Sequence, residues 1–270
     1  MTQTPNTGSA ATPGRRHTLE VLLSVASLFL AAQLGWIVVE YWASLPAPGR
    51  QVEIRSPDAP YPYLVFLPEG YTAGDRTWPL IVHLHGSGER GHDLRAVRTT
   101  SLPRLLDRGR RVPAIVVSPQ CPPGETWSAD AIVALADSLA RRFAIDQRRL
   151  YATGYSMGGY ATWEVGWMFP GRFAAIVPIC GGGPAAWGPR LASLPTWAFH
   201  GARDDAVPPD ETIKLVEAMR QAGGTPRLTI YDNLGHGIWD QVYATNELYE
   251  WLWTHETPAE PDDTGSSNER

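Results

Sequence analysis

Cysteine is nearly absent from this chain. Only Cys121 and Cys180 occur in 270 residues. A disulfide framework is therefore excluded, and the wide spacing excludes a C-x-x-C metal or redox pair. Each follows a different strand-like run, "VPAIVVSPQ" and "FAAIVPI", so both are expected as free thiols. No long basic run is present and the formal net charge is −5, which leaves nucleic acid without an electrostatic footprint. The Gly-rich stretch "HLHGSGERG" lacks the G-K-[ST] ending of a phosphate-cradling loop. What remains is an ordinary globular composition, 43% apolar and 19% charged, with a core large enough for one domain. Tryptophan, at eleven residues, is plentiful. Most are expected in the core or at a membrane interface, with some lining an apolar cleft.

The two ends differ from the middle. Residues 1–17 are small, polar and punctuated by Pro and Gly, and residues 256–270 are similar but acidic. Both read as disordered tails. Val21–Val39 holds 19 residues without a charge, about 28 Å as a helix, against a hydrocarbon core of about 30 Å. Arg15 and Arg16 precede it, and Trp36, Tyr41 and Trp42 stand at its far end. The pattern predicts a transmembrane anchor over 18–42, with residues 1–17 cytoplasmic and everything after the span exported. The alternative is a cleaved signal peptide and a secreted product. Against it, the apolar run exceeds the usual h-region of about 7–15 residues, and no clear A-x-A site follows. Residues 43–49, Pro-rich, read as a linker.

The body, residues 50–255, alternates strand-like and helix-like segments. "YLVFLP", "WPLIVHLHG", "VPAIVVSPQ", "RLYATGYS", "FAAIVPICG", "PTWAFHG" and "RLTIYDN" are short apolar runs. Between or after them, "SADAIVALADSLARRF", "GGYATWEVGWMF", "DETIKLVEAMRQAGG" and "ATNELYEWLWTH" suit helices, with Ser128 and Asp210 as N-caps and Gly223 as a stop. Buried strands separated by helices predict an α/β fold: a mostly parallel sheet with helices on both faces.

One stretch carries chemistry. "LYATGYSMGG" contains G-x-S-x-G centred on Ser156, a pattern found by chance in about one chain in ten of this length. Its place after a strand-like run and before a helix-like one is the context that a nucleophile elbow requires. A serine hydroxyl is a weak nucleophile alone. It needs a base to take its proton and a carboxylate to orient that base, in the chain order Ser, acid, His. Of seven histidines, only His236 and His255 follow the acid candidates. His255 ends the last helix, whereas His236 lies in the loop "NLGHGIW" after the last strand. The acid is expected after "PTWAFHG", where Asp204 and Asp205 both stand. Two backbone amides should receive the oxyanion: that of Met157, next to the nucleophile, and that of Ser87, in "HLHGSGERG". Trp127, in "CPPGETWS", is either a cleft-rim contact for substrate or a packing residue.

The body resembles the α/β-hydrolase superfamily. More narrowly, it is similar to bacterial serine esterases and predicted peptidases allied to the phospholipase/carboxylesterase, polyhydroxybutyrate depolymerase and feruloyl esterase groups. The motifs that carry the resemblance include "PLIVHLHGSGERG", "TGYSMGGYATWEV", "WAFHGARDDAVPP" and "GHGIWDQVYATNELYEWL", within residues 61–252. The family spacing, one acid ahead of a Val-Pro pair, implies Asp204 rather than Asp205. The resemblance implies no cofactor and no metal. Only 15 residues separate Cys180 from Thr196, too few for a multi-helix lid domain, so an open cleft is expected. The expected activity is a membrane-anchored serine hydrolase acting on small-molecule or polymeric carboxylic esters. A serine peptidase or amidase with the same triad, or an acyltransferase, is the alternative.

Overall fold

The computed structural model describes residues 46–258. The expected cytoplasmic tail and anchor, the first part of the linker, and the last residues of the acidic tail lie outside them. Among the described residues no helix is long and apolar enough to cross a membrane.

Eight strands form one sheet: β1 (Gln51–Ile54), β2 (Tyr63–Phe66), β3 (Trp78–Leu84), β4 (Ile115–Pro119), β5 (Ile145–Tyr155), β6 (Ala175–Ile179), β7 (Trp197–Gly201) and β8 (Arg227–Tyr231). Their order is β1-β2-β4-β3-β5-β6-β7-β8. The β1–β2 and β2–β4 pairs are antiparallel, and every pair from β4 to β8 is parallel. The helices are α1 (Arg95–Arg98), α2 (Ser101–Asp107), α3 (Ala129–Ala140), α4 (Met157–Met168), α5 (Gly188–Leu191), α6 (Asp210–Gln221), α7 (Trp239–Ala244) and α8 (Asn246–Trp253).

The sheet is buried where its sequence is continuously apolar. Every residue of β2, β3, β4, β6 and β7 is buried, as a sheet covered on both faces demands. Side chains alternate across it. Ile81, Tyr151, Val177 and Phe199 join Leu102, Val242, Leu248 and Leu252 from α2, α7 and α8 in one core. The edge strands β1 and β8 are only partly buried. β1 escapes sequence reading because "QVEI" is short and half polar. It is held by Gln51, whose Nε2 donates to Pro103 O (2.7 Å) and Asp107 Oδ1 (2.8 Å).

Helix signals hold with one exception. Ser128 caps α3, accepting from the Ala131 amide at 3.3 Å. Asp210, expected as an N-cap, is instead the first residue of α6, with Pro209 in the cap position. There its carboxylate still faces the positive end of the helix dipole, and it pairs with Lys214 at 3.3 Å. Two boundaries also extend beyond the compositional reading. The Gly49 amide donates to Leu67 O at 2.8 Å, tying the end of the linker to β2. At the other end, residues 256–258 were read as the start of a disordered tail. Instead, Thr257 donates to Arg148 O (2.8 Å) while Arg148 pairs with Glu256 (2.6 Å). Composition shows polarity but not this distant arginine partner.

Two histidines of the β3 strand and its end are wholly buried. His83 hydrogen-bonds Ser101 Oγ at 3.0 Å. Burial, with a smaller contribution from His85, pushes its pKa down from 6.5 to about 3. Burial likewise pushes His85 down to about 4, against the opposing effect of the Gly86 carbonyl. An unfolded chain protonates both near pH 6.5 while the folded chain keeps them neutral, so stability is lost as pH falls from that value toward the folded ones. Unfolding free energy from urea titrations should therefore drop between pH 7 and pH 5. At about 1.4 kcal/mol per pH unit per group, the two histidines together contribute on the order of 3–4 kcal/mol. A flat profile over that window would show that these rings are not held neutral.

Candidate active site

The site is built around a reversal of the chain at one residue. β5 ends at Tyr155, α4 begins at Met157, and Ser156 between them has φ 55°, ψ −120°. A left-handed backbone at a non-glycine residue costs about 1–3 kcal/mol and persists only where its surroundings over-determine it. Here the Ser156 amide donates to Ile179 O at 2.9 Å, and its carbonyl accepts from the Tyr160 amide at 3.1 Å. The flanking glycines let the backbones approach. A Cβ on Gly154 would lie 2.6 Å from the Gly158 carbonyl oxygen and 2.7 Å from that of Leu84. One on Gly158 would run into the Leu84 carbonyl. The G-x-S-x-G pattern is thus a steric requirement of β3, β5 and α4 meeting at one point.

Three predicted side chains converge there. Ser156 Oγ lies 2.9 Å from His236 Nε2, and His236 Nδ1 lies 2.7 Å from Asp204 Oδ2. His236 sits in the loop between β8 and α7, and Asp204 follows β7. The Asp204 Oδ1 oxygen accepts the amides of Ala206 (3.0 Å) and Val207 (2.8 Å). Burial alone would raise the Asp204 pKa. The Val207 amide, the His236 ring and the Ala206 amide outweigh it and hold the carboxyl below the ordinary range. Asp204 is 6% exposed, while the neighbouring Asp205 is exposed, as expected of adjacent residues pointing opposite ways. With Nδ1 donating to the carboxylate, Nε2 is free to accept the serine proton.

Cys180 joins this group from the end of β6, its Sγ donating to the His236 carbonyl at 3.3 Å. Burial pushes its thiol up to about 12, so it is a protonated donor rather than a nucleophile. Cys180, Asp204 and His236 are the one group among the described residues whose ligand atoms cluster closely enough, within 4.8 Å, to consider a metal. Asp204 Oδ2 and His236 Nδ1 already satisfy each other there. Both cysteines are free.

The expected oxyanion donors occupy equivalent positions. Met157 is the first residue of α4, and Ser87 the first of a short 3₁₀ turn, Ser87–Glu89. An amide at the start of a helix has no acceptor within it. His85 orients the second of these. Its Nε2 accepts the Cys121 amide at 3.0 Å, so the hydrogen resides on Nδ1, which donates to Gly86 O at 2.5 Å. In a planar trans peptide the carbonyl of Gly86 and the amide of Ser87 point opposite ways. Holding one inward turns the other outward, and Ser87 is exposed.

Trp127 is 5% exposed; its Nε1 donates to His85 O at 3.1 Å and its ring packs edge-on against Tyr61. These contacts give it a packing role. One edge also lines a cavity of about 350 Å³ with Met157, Tyr160, Ala161 and Glu164. A second cavity, about 430 Å³, lies beyond Tyr160, between Glu164, Trp187 and Glu211. A third, about 270 Å³, opens near Gly49 and Arg110; Ser156 lines none of the three, but the first holds its neighbour Met157 and the second shares Tyr160 with the first. The segment between β6 and β7 holds only a 3₁₀ turn and the four-residue α5, in keeping with an open cleft.

Sequence reasoning overlooked His85 and His200 as parts of the site. The signal was present as an H-G dipeptide, "LHG" and "FHG", at the carboxyl end of each of two parallel strands.

Known proteins resemble this arrangement. The prolyl oligopeptidase family matches residues 125–182 and 190–257. A crystal structure of a thermostable esterase aligns with TM-score 0.65 and 32% identity, over 77% of this chain and 63% of that one. A bifunctional acetylxylan esterase/xylanase of Neocallimastix patriciarum is 32% identical over 75 residues, 27% of this chain and 11% of that protein. The fold is shared by a ferulic acid esterase (TM-score 0.57, 19% identity, 75% and 95% coverage). It is shared too by the Pyrococcus horikoshii acylaminoacyl peptidase (TM-score 0.56, 15% identity, 78% and 42% coverage). The chain thus spans less than two thirds of the first two relatives. Sheet order, elbow and family match agree: the chain has the α/β-hydrolase fold and is consistent with its group of serine esterases and peptidases.

Proposed function

We propose that the protein hydrolyses carboxylic esters through an acyl-enzyme on Ser156. The observation that carries this reading is the unbroken line of contacts from Ser156 Oγ through His236 to Asp204. His236 Nε2 takes the serine proton as Oγ attacks the ester carbonyl. The oxyanion rests on the amides of Met157 and Ser87, donors of a kind typically worth about 3–4 kcal/mol. The imidazolium, stabilised by Asp204, then protonates the leaving alcohol. Water repeats the sequence on the acyl-enzyme, with His236 again as base. No step calls for a cofactor.

The ester reading is supported by the 32% identity to a thermostable esterase over most of the body. The match to the prolyl oligopeptidase family favours a second reading, a peptidase or amidase with the same triad. Rates on short p-nitrophenyl esters and on aminoacyl anilides separate the two. The apolar segment at 18–42 supports a further proposal, that one span tethers the domain to the cell membrane on its outer side.

Four outcomes are expected. Ser156→Ala should abolish ester turnover and labelling by a fluorophosphonate while leaving the protein folded; wild-type turnover in this variant would end the proposal. Asp204→Asn should lower kcat by about 10⁴-fold with near-normal folding, since loss of the orienting carboxylate leaves the wrong imidazole tautomer. Asp205→Asn should stay within about 0.5 kcal/mol of wild-type stability and keep its rate. Exchanged phenotypes would reassign the acid. For topology, a reporter active only in the cytoplasm, fused at the carboxyl end, should be silent. Full reporter activity would refute the exported orientation, and recovery of a soluble fragment beginning near residues 43–50 would establish cleavage instead of anchoring.

A further inference from the structure

Asp204 has a second histidine beside it. His200, at the end of β7, is fully buried. Its Nε2 is 2.9 Å from Val207 O, and Asp204 Oδ2 lies 3.1 Å from the same nitrogen. Both neighbours are acceptors only, so Nε2 carries the hydrogen. The N–H is directed at the Val207 carbonyl, and the carboxylate lies beside it in electrostatic contact. Nδ1 meets the hydroxyl of Thr212 on α6 at 2.8 Å, and the same hydroxyl contacts the Gly181 carbonyl after β6. His200 is thereby fixed from behind by two elements that do not belong to the turn it faces.

The turn itself is closed by the Val207 amide, which donates to Asp204 Oδ1 at 2.8 Å. That bond and its partner from Ala206 hold one carboxylate oxygen. The two oxygens turn together about the Cβ–Cγ bond, so a movement of the exposed 205–206 backbone that shifts Oδ1 also shifts Oδ2. Oδ2 is the oxygen that His236 Nδ1 must find.

We propose that His200 is a positioning residue for the carboxylate: its imidazole N–H bonds the Val207 carbonyl, draws Asp204 Oδ2 to the same edge of the ring, and so aims that oxygen at His236. The assignment rests on the serine-hydrolase reading of the site. His200 touches neither substrate nor the reacting atoms. Its effect reaches Ser156 only through Asp204 and His236, so its loss should lower kcat and leave substrate binding nearly unchanged. Displacement of a catalytic group by about 1 Å costs up to about 10²-fold.

Three substitutions test this by placing a donor at different points. His200→Gln puts an amide N–H where Nε2 stood. His200→Asn puts one where Nδ1 stood, facing Thr212. His200→Leu fills the space with no donor. Two readouts apply: kcat and KM on p-nitrophenyl acetate, and the low-field proton resonance of the His236–Asp204 hydrogen bond in substrate-free protein. Leu and Asn should lower kcat about 10- to 100-fold with KM within about threefold, and should displace or broaden the resonance. Gln should recover most of both. Equal behaviour of Gln and Asn, two amides of similar polarity, would overturn the proposal, as would a Leu variant with wild-type kcat and an unmoved resonance. A failure of the serine-hydrolase reading shows elsewhere, as wild-type protein without Ser156-dependent turnover. The resonance series then still decides whether His200 aims Asp204.

Discussion

The left-handed turn at Ser156 is the constraint on which the rest of the structure depends. It exists because three backbones crowd one point: the end of β3 at Leu84, the end of β6 at Ile179 and the first turn of α4 at Gly158. β3 and β6 are the two neighbours of β5 in the sheet, so the nucleophile stands over the centre of the parallel array. Sites in such sheets form beyond the carboxyl ends of the strands. The other parts follow from that position. Asp204 comes from the end of β7, two strands away, and His236 from the loop that leaves β8, one strand further. Each strand delivers one group to the same edge, and the strain at Ser156 is held by packing that no single loop could supply.

Burial then separates the histidine proposed as the base from the others. His83, His85 and His200 are all fully buried, and burial lowers the pKa of each. Their rings are neutral polar spacers: both nitrogens of His85 bond backbone groups, His200 faces Thr212 and Val207, and His83 bonds Ser101 through one nitrogen. His236 differs in its surroundings. Its side chain is 23% exposed, and it meets a buried carboxylate on one side and a serine hydroxyl on the other. It is the imidazole of this group placed to gain and lose a proton beside a nucleophile. Asp204 is the complementary case: a carboxylate with a wholly buried side chain, which would be costly alone, and is accommodated because two amides and the His236 ring donate to it.

Much of this was legible because the central sheet is covered on both faces. β2, β3, β4, β6 and β7 are buried along their whole length and mostly apolar, with His83, Ser118 and His200 as buried polar exceptions, and a nearly continuous apolar run is visible without a partner. The elbow was legible because its glycines are sterically compelled. Asp204 and Asp205 could be separated only by family spacing, since both follow the same strand; once the turn is built, Asp204 is buried against the Ala206 and Val207 amides and His236 while Asp205 faces outward. What stayed hidden is what depends on distant partners. β1 is recognisable only through its pairing with β2 and the grip of Gln51 on α2. His85 and His200 read as ordinary core residues, because their partners are backbone groups and a threonine 7 to 36 positions away, apart from the adjacent Gly86. The persistence of order through Thr257 depends on Arg148, over a hundred residues earlier.

The parts that perform chemistry and the parts that face a substrate come from different sources. Ser156, the amides of Met157 and Ser87, and the carboxylate of Asp204 are placed by backbone turns that tolerate little change, since each is locked by amides, carbonyls or close glycine contacts. The cleft beside them is lined by side chains on the outer face of α4, Tyr160 and Glu164, and by Trp187 and Glu211 from the 3₁₀ turn and α6. Tyr160 is the large hydrophobic residue left exposed among those described, at 38%, and it divides the two cavities. Neither glutamate is engaged in a salt bridge to an arginine there. Side chains of that kind can be exchanged without moving the elbow, because they project from a helix whose buried face, with Gly158, Gly159 and Trp163, does the packing. The same elbow can therefore persist while the cleft beside it is reshaped, and a fold of this kind can be shared by proteins as different as esterases and peptidases.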